Sequence, residues 1–208
     1  MPISWSVIAI VVAYLCGSIP VGYLVARLYG IDITASGSGR TGGTNVLRAA
    51  GSKAAGLTVL GDVFKGLIPI FFIQIAFPPL TVALAMTAAV LGHNYSIFLK
   101  FRGGVGAGTA IGTVGGVSVP AGLLAAVCGL IGLALTRYAS VLSTSIAVSS
   151  VIILAIFAAL RITPYAYVLG AVLNMLVMFY ALRENFARIR AGTERKVGQK
   201  TDNIVKLS

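Results

Sequence analysis

The chain has 208 residues, of which 58% are hydrophobic and 10% are charged. Soluble domains average about 25% charged residues, so this composition excludes a soluble fold that covers its surface with polar side chains. Sixteen Lys and Arg against five Asp and Glu give a net charge of +11. In a soluble protein this excess would suggest nucleic acid. Here the basic residues lie between and after apolar runs, so they indicate membrane orientation and phosphate-bearing partners, and no nucleic acid.

The apolar runs predict an all-α integral membrane protein, because a helix needs about 20 apolar residues to cross a bilayer. We expect a single polytopic membrane domain over residues 1–208 with seven transmembrane helices. The predicted spans lie near residues 3–28, 54–76, 80–99, 105–116, 118–136, 139–160 and 164–182, and a basic cytoplasmic tail follows at 183–208.

The run 105–136 decides the count, because it is too long for one ordinary span and short for two. Glycines and Pro120 interrupt it, which favours a break there. Two crossings place the loop 30–53, Arg137 and the basic tail on one side of the membrane. The positive-inside rule assigns that side to the cytoplasm, so the N-terminus is predicted outside and the C-terminus in the cytoplasm.

The first polar segment, Ser36–Arg48, combines glycines with two arginines. Backbone N–H groups of such a loop can converge on an anion, and Arg suits bidentate phosphate contacts. Thr44 or Asn45 is predicted to cap a short helix that ends near Ala50, whose positive N-terminus would face the anion. The alternative is a flexible glycine linker with surface arginines.

Two further polar segments follow. Gly92–Thr109 runs through a glycine-rich turn, whose glycines either free the backbone for close approach or serve helix packing. His93 is the only histidine, and it is either a hydrogen-bonded structural residue or a base. Arg183–Arg195 leaves the last span as a charged interfacial helix, an interpretation that fits Asn185 and Glu194 less well.

Asp62 and Lys65 are ionisable residues inside the second predicted span. At positions i and i+3 they share a helix face and can pair. Intramembrane ionisable residues are costly and functional by default. Two interpretations therefore stay open: an internal ion pair that fixes the span, or a substrate contact by Lys65.

Together these motifs resemble the bacterial membrane glycerol-3-phosphate acyltransferases that use acyl phosphate as donor. The matching runs are GSGRTGGTNVLR, DVFKG, GHNYSIFLKFRGGVGAGT and ENFARIRAGTE. The resemblance implies seven spans in a bacterial plasma membrane, with the active site on the cytoplasmic side. It implies transfer of a fatty acyl group from acyl phosphate to the 1-hydroxyl of glycerol 3-phosphate, giving 1-acylglycerol 3-phosphate (lysophosphatidate) and phosphate in phospholipid synthesis. Expected partners are the two substrates, membrane lipids and the enzyme that makes acyl phosphate, and no cofactor or metal is expected.

Positions that match the family's motifs give the candidate site. The catalytic candidates are Ser38, Asn45, Arg48, His93, Asn185 and Glu194. The substrate-binding candidates are Gly37, Gly39, Arg40, Thr44, Lys65, Gly103, Gly104, Gly106, Thr109 and Arg188. The resemblance leaves the proton acceptor open between a phosphate oxygen of glycerol 3-phosphate and His93.

The sequence also departs from the family's pattern. The family usually has Asn where this chain has Arg40, and Lys where it has Val105. One hypothesis is that Arg40 supplies the charge missing at Val105, and its alternative is a divergent member with altered or absent activity. A transporter of a phosphorylated anion is a further alternative, because broken spans and converging arginines would serve it too.

Overall fold

The computed structural model describes residues 3–199 and 203–207, so part of the predicted tail, residues 200–202 and 208, lies outside the described residues. The described ranges contain eight α-helices: α1 (Ile3–Ser18), α2 (Val21–Leu28), α3 (Gly43–Ala76), α4 (Pro79–Asn94), α5 (Ala107–Val117), α6 (Val119–Thr136), α7 (Ala139–Ala159) and α8 (Ala166–Arg190). A 3₁₀ turn, Ile97–Leu99, lies between α4 and α5. Extended pairing in these ranges is limited to two isolated β-bridges.

Every predicted span contains a helix, but four of the spans differ from the prediction. Helix α4 ends at Asn94 and not near residue 99, because the chain leaves the helix at Tyr95 and enters the 3₁₀ turn. The first predicted span is two helices, because Pro20 lacks the N–H that would continue the hydrogen-bond ladder. Helix α3 begins at Gly43, since a short helix before Gly51 joins the main helix across a kink at that glycine (φ 85°, ψ −179°). Helix α8 continues to Arg190, because a helix that leaves the apolar layer can extend among polar loops.

Within residues 3–199 and 203–207, five helical segments are long and apolar enough to cross a membrane, judged by length and composition. They are Ile3–Leu28, Gly43–Ala76, Val119–Thr136, Ala139–Ala159 and Ala166–Arg190. Helices α4 and α5 have 16 and 11 residues, which corresponds to about 24 and 17 Å. The seven-span count and the orientation of the termini stay predictions. The outward side chains are apolar, as in Phe72, Ile75 and Leu135, which are 64%, 69% and 80% exposed.

The helices pack closely through glycines. Helix α1 packs on α4, α3 on α5, and α6 on α7. A Cβ atom on Gly17 would overlap the carbonyl oxygen of Ala89 in α4, and one on Gly112 would overlap the carbonyl oxygen of Val63 in α3. Small residues let backbones approach in this way, which matters in lipid because apolar side chains gain little there by leaving the solvent.

The polar segments collect at one end of the bundle. The tail returns to the loop after α2, where Asp32 N donates to Val205 O at 2.9 Å. It also meets the turn between α6 and α7, where Val197 N donates to Arg137 O at 2.7 Å. Residues of the loop after α2, the glycine-rich turn after α4 and the tail also line one cavity, so these segments share one surface, which we call the loop end of the bundle.

Gly17→Ala is expected to destabilise the protein, because the new methyl group forces α1 away from the backbone of α4. Overpacking of this kind costs about 1–3 kcal/mol. Gly56→Ala in α3 is the matched control, since a Cβ there meets open space and alanine favours the helix by about 0.5–1 kcal/mol. Thermal unfolding in detergent should show a lower Tm for Gly17→Ala and an unchanged or higher one for Gly56→Ala. Equal Tm values for the two variants would contradict close packing at Gly17.

Candidate functional site

A cavity of about 770 Å³ starts at the loop end and continues between α3, α5, α6 and α7. Predicted site residues on its polar wall are Gly37, Ser38, Arg40, Thr44, Asn45, Arg48, His93, Gly104, Gly106, Asn185, Arg188 and Glu194. Its apolar wall includes Val59, Val63, Ile111, Leu130, Leu133 and Leu142. The cavity is therefore amphipathic, with cations at the loop end and aliphatic side chains between the helices.

Asn45 organises the first glycine loop. Its side chain is buried, and Nδ2 donates to the carbonyl oxygens of Ser36 at 3.0 Å and Arg40 at 2.9 Å. Its Oδ1 accepts a hydrogen bond from the backbone N–H of Ser38 at 3.1 Å. Because these bonds occupy both ends of the amide, Asn45 fixes the loop in the conformation that leaves Ser38 exposed on the cavity wall.

The N-terminus of α3 differs from the prediction. The cap residue is Gly42, with no side-chain capping bond, so the expected cap at Thr44 or Asn45 is wrong. The helix begins earlier than expected, which places both residues inside its first turn. The kink at Gly51 does end a short first helix near Ala50, as predicted. Gly42 and Thr44 border the cavity, so the positive end of this short helix faces it.

The second glycine run packs against the last turn of α4. A Cβ atom on Gly103 would overlap the carbonyl oxygen of His93, and one on Gly104 would overlap its Nε2 atom. Gly106 has φ 92°, and a Cβ there would lie 2.8 Å from Asn94 Oδ1. These three glycines are thus required for the approach of the turn to α4, whichever ligand the cavity takes.

Some predicted substrate-binding residues do not line this cavity. Thr109 is fully buried, Gly39 is a turn residue with φ 69°, and Gly103 borders a smaller neighbouring cavity. Lys65 lies behind Asp62: its Nζ atom is 2.9 Å from Asp62 Oδ1 and donates to Ile19 O at 2.8 Å. The ion pair expected as one alternative is confirmed, and a substrate role for Lys65 stays a prediction.

Asp62 is the wall residue that sequence reasoning left out of the candidate site. Asp62 and His93 both border the cavity, and Asp62 Oδ1 lies 3.4 Å from His93 Nδ1. The signal that could have found it is a carboxylate within an apolar span. The sequence does not show which of the two side chains, Asp62 or Lys65, lines the cavity.

A chain of polar contacts joins the first loop to the end of α8. Arg40 Nη1 donates to Asn185 Oδ1 at 2.8 Å, and Arg40 Nη2 donates to Ala181 O at 2.9 Å. Asn185 Nδ2 donates to Glu194 Oε1 at 2.7 Å. The other carboxylate oxygen of Glu194 accepts from Arg188 Nε at 2.8 Å. The structure thus brings together Arg40, Asn185, Arg188 and Glu194, as the motifs predict.

The charge of Arg40 persists in this setting. Burial lowers the pKa of the Arg40 guanidinium from its ordinary value, whereas the nearby Glu184 carboxylate, 3.9 Å away, raises it. A guanidinium is not deprotonated in proteins, so Arg40 remains a cation on the cavity wall.

Arg48 is held by the tail. Its Nη2 atom donates to the carbonyl oxygens of Arg195 at 3.1 Å and Lys196 at 3.3 Å. Its Nε atom is buried and has no hydrogen-bond partner in the described part of the chain. The tail is tied down in turn, because Val205 N donates to Ser36 Oγ at 2.9 Å. Backbone contacts of this kind leave no trace in residue patterns, so sequence reasoning missed the role of the tail.

Metal chemistry has no evident ligand set here. Among residues 3–199 and 203–207, no three His, Cys, Asp or Glu side chains lie together as a metal site would need. What the cavity offers is guanidinium groups, backbone N–H groups, one imidazole and an apolar channel. That combination suits a molecule with an anionic head and an aliphatic tail.

Comparison with known proteins gives consistent matches. The family profile described as "Glycerol-3-phosphate acyltransferase" matches residues 7–192. A "Glycerol-3-phosphate acyltransferase" of Rubrobacter xylanophilus is 40% identical over 195 residues, which cover 92% of this chain and 95% of the relative. The protein of the same description from Geobacter sulfurreducens is 42% identical over 187 residues, which cover 89% and 94%.

Solved structures agree with these sequence matches. The crystal structure of PlsY (YgiH), an integral membrane glycerol 3-phosphate acyltransferase, in its glycerol 3-phosphate form matches with a TM-score of 0.84 at 33% identity. The alignment covers 93% of this chain and 96% of that one. The lysophosphatidic acid form of PlsY matches with a TM-score of 0.82 at the same identity, covering 92% and 94%.

Asn45→Asp is expected to loosen the first glycine loop. A carboxylate cannot donate to the carbonyl oxygens of Ser36 and Arg40, and each lost hydrogen bond costs about 1 kcal/mol, more where a buried group is left unsatisfied. Hydrogen–deuterium exchange should rise in residues 34–42. Thr44→Val is the control, since the Thr44 side chain forms no hydrogen bond with the described part of the chain. Unchanged exchange in Asn45→Asp would show that the loop is held by other contacts.

Proposed function

The chain belongs to the glycerol-3-phosphate acyltransferase family and is a multi-pass membrane acyltransferase of phospholipid synthesis, and we propose that it moves a fatty acyl group from acyl phosphate to the 1-hydroxyl of glycerol 3-phosphate. The products are 1-acylglycerol 3-phosphate and inorganic phosphate. The observation that carries the proposal is the amphipathic cavity, because acyl phosphate has a phosphate head and an aliphatic chain on one molecule.

The acyl chain of the donor fits the apolar part of the cavity. Leu130 of α6 borders the cavity and is 59% exposed. We infer that the cavity opens beside α6 towards the lipid. A membrane-dissolved acyl phosphate can enter sideways through this gap, with its phosphate directed to the loop end.

The two phosphate groups fit the arginines at the loop end. A guanidinium has five N–H donors, and the recorded contacts of Arg40 and Arg48 leave several of these for a ligand. Arg188 keeps donors beyond its Nε contact with Glu194. Together with the N-terminus of α3, these groups neutralise the phosphates of donor and acceptor.

The reaction needs little more than orientation and charge stabilisation. Acyl phosphate is a mixed anhydride, so its carbonyl carbon is already activated. The 1-hydroxyl oxygen of glycerol 3-phosphate attacks that carbon, the new C–O ester bond forms, and the bond to the phosphate oxygen breaks. Arginine side chains and loop N–H groups stabilise the developing oxyanion and the departing phosphate, and Ser38 orients the hydroxyl from the cavity wall.

The hydroxyl proton needs an acceptor, for which we favour His93. Its imidazole borders the cavity, and it is the only imidazole in the chain. The competing acceptor is a phosphate oxygen of glycerol 3-phosphate itself. Both routes place the proton on a group within the cavity, so they differ in what the loss of His93 does.

The membrane arrangement follows from charge. We infer seven spans with the N-terminus outside and the C-terminus in the cytoplasm of a bacterial cell, with residues 1–208 as one membrane domain. The loop end carries Arg40, Arg48, Arg137 and Arg195, and short basic loops favour the cytoplasmic side. Water-soluble glycerol 3-phosphate then reaches the cavity from the cytoplasm, and the enzyme that makes acyl phosphate supplies the donor at the same surface.

An assay of the purified protein tests the activity and its donor. Palmitoyl phosphate and labelled glycerol 3-phosphate should give labelled lysophosphatidate and released phosphate in equal amounts. Palmitoyl-CoA in place of palmitoyl phosphate should give no product. Product from palmitoyl-CoA but not from palmitoyl phosphate would show that acyl phosphate is not the donor. A folded protein that forms no product from either donor would be a catalytically silent member of the family.

Arg40→Asn is expected to raise the KM for acyl phosphate about tenfold or more, because it removes one charge-assisted contact with the donor phosphate. Val105→Lys in the same variant should recover most of this loss, since it restores a cation to the cavity wall. Arg161→Asn, in the turn between α7 and α8, is the control and should leave the KM unchanged. An unchanged KM in Arg40→Asn would show that Arg40 does not compensate for Val105.

His93→Gln is expected to lower kcat about 100-fold or more, which is the usual contribution of a positioned general base. Glutamine approximates the size and polarity of the ring but cannot accept the proton. Steady-state kinetics with both substrates saturating provides the measurement. If most of the activity survives, the phosphate oxygen of glycerol 3-phosphate is the acceptor instead.

A further inference from the structure

The end of the tail pairs with the loop that follows α2. Asp32 N donates to Val205 O at 2.9 Å, and Leu207 N donates to Gly30 O at 2.8 Å. The two segments run antiparallel at this point, as neighbouring strands of a sheet do. We call residues 203–207 the strap. Its bonds use the backbone atoms of alternate residues, so the N–H group between them points away from the loop.

Ser36 connects the strap to the first glycine loop. Its Oγ atom accepts a hydrogen bond from Val205 N at 2.9 Å and donates one to Asp32 O at 2.6 Å. Its carbonyl oxygen accepts from Asn45 Nδ2 at 3.0 Å and from Gly39 N at 3.0 Å. Ser36 is fully buried. The start of the loop is therefore held from one side by Asn45 and from the other by the strap.

The loop that Ser36 holds lines the cavity, whereas the strap does not. Gly37, Ser38 and Arg40 border the cavity, and no residue of the strap does so within the described part of the chain. The strap can therefore act on the cavity only through the loop. A loop that is already ordered in its binding conformation uses no binding energy to become ordered. Order of this kind lowers KM and leaves kcat unchanged.

We propose that the strap is a positioning element of the active site, in which Val205 acts through Ser36 to hold the first glycine loop. The loop then presents Ser38 and Arg40 to the substrates in a fixed conformation. The family profile matches residues 7–192, so the strap lies beyond the matched range. That the loop binds substrate rests on the proposed function. That the strap orders the loop does not, because it follows from contacts within the chain.

Hydrogen–deuterium exchange of the wild-type protein in detergent tests the strap without any variant. The amides of Asp32, Val205 and Leu207 are expected to exchange slowly, because each donates to an oxygen atom of the facing segment. An unattached tail end would exchange its amides at the rate of an unstructured peptide. Fast exchange throughout residues 203–207 would therefore overturn the proposal.

Two proline variants of the full-length chain separate a bonded N–H group from an unbonded one. Val205→Pro removes the donor to Ser36 Oγ, whereas Lys206→Pro removes an N–H group that bonds nothing in the described part of the chain. Val205→Pro should speed exchange in residues 34–40. It should also raise KM for both substrates about fivefold, the effect of one lost hydrogen bond, while kcat changes less than about twofold. Lys206→Pro is the matched control and should change neither exchange nor KM.

Ser36→Ala tests the same hydrogen bond from the loop side. If the two residues act through one bond, adding Val205→Pro to Ser36→Ala should raise KM no further. Additive effects, equal effects of the two proline variants, or an unchanged KM in Val205→Pro would each overturn the positioning role. A wild-type protein with a protected strap and the expected exchange differences but no acyltransferase activity would refute the proposed function and leave the ordering of the loop standing.

Discussion

The ion pair between Asp62 and Lys65 joins the parts of the bundle that build the cavity. Both side chains come from α3, but Lys65 reaches the carbonyl oxygen of Ile19 at the end of α1, and Asp62 reaches His93 at the end of α4. Ile19 lies in the break between α1 and α2, where its carbonyl oxygen also accepts from Val21 N at 3.0 Å. Charges inside an apolar bundle must find partners, so the pair fixes the relative positions of three helices beside the cavity.

Glycine packing gives the same helices their close approach. Gly66 of α3 and Gly112 of α5 face the backbone of the partner helix, and a Cβ atom on either one would overlap it. The glycine run after α4 extends this contact to the loop end, where Gly104 packs on the His93 ring. The glycine run 103–106, which is typical of anion-binding loops, is thus explained first by helix packing. Packing of Gly104 on the ring also fixes the position of His93 at the cavity wall.

The helices were predictable from the sequence because long apolar runs have one stable form in lipid, the helix that satisfies its own backbone. The end of a short helix near Ala50 was also predicted, but the cap at Gly42 was not, since several residues in that stretch could have served. The four-residue chain from Arg40 to Arg188 was anticipated as a set of motifs, but not as a set of contacts. The tail was predicted as a basic segment, but its contacts were missed, because Val205 binds the first loop through backbone atoms, which any residue type provides.

The arginines of the loop end differ in how much charge they can offer a ligand. Arg188 forms an ion pair with Glu194 at 2.8 Å, so the carboxylate offsets much of its charge. Arg40 has Glu184 at 3.9 Å and gives two N–H groups to Asn185 and α8. Arg48 is bonded only to carbonyl oxygens, which orient a guanidinium without cancelling its charge. Since those carbonyls belong to the tail, the order of the tail and the orientation of the Arg48 guanidinium depend on each other.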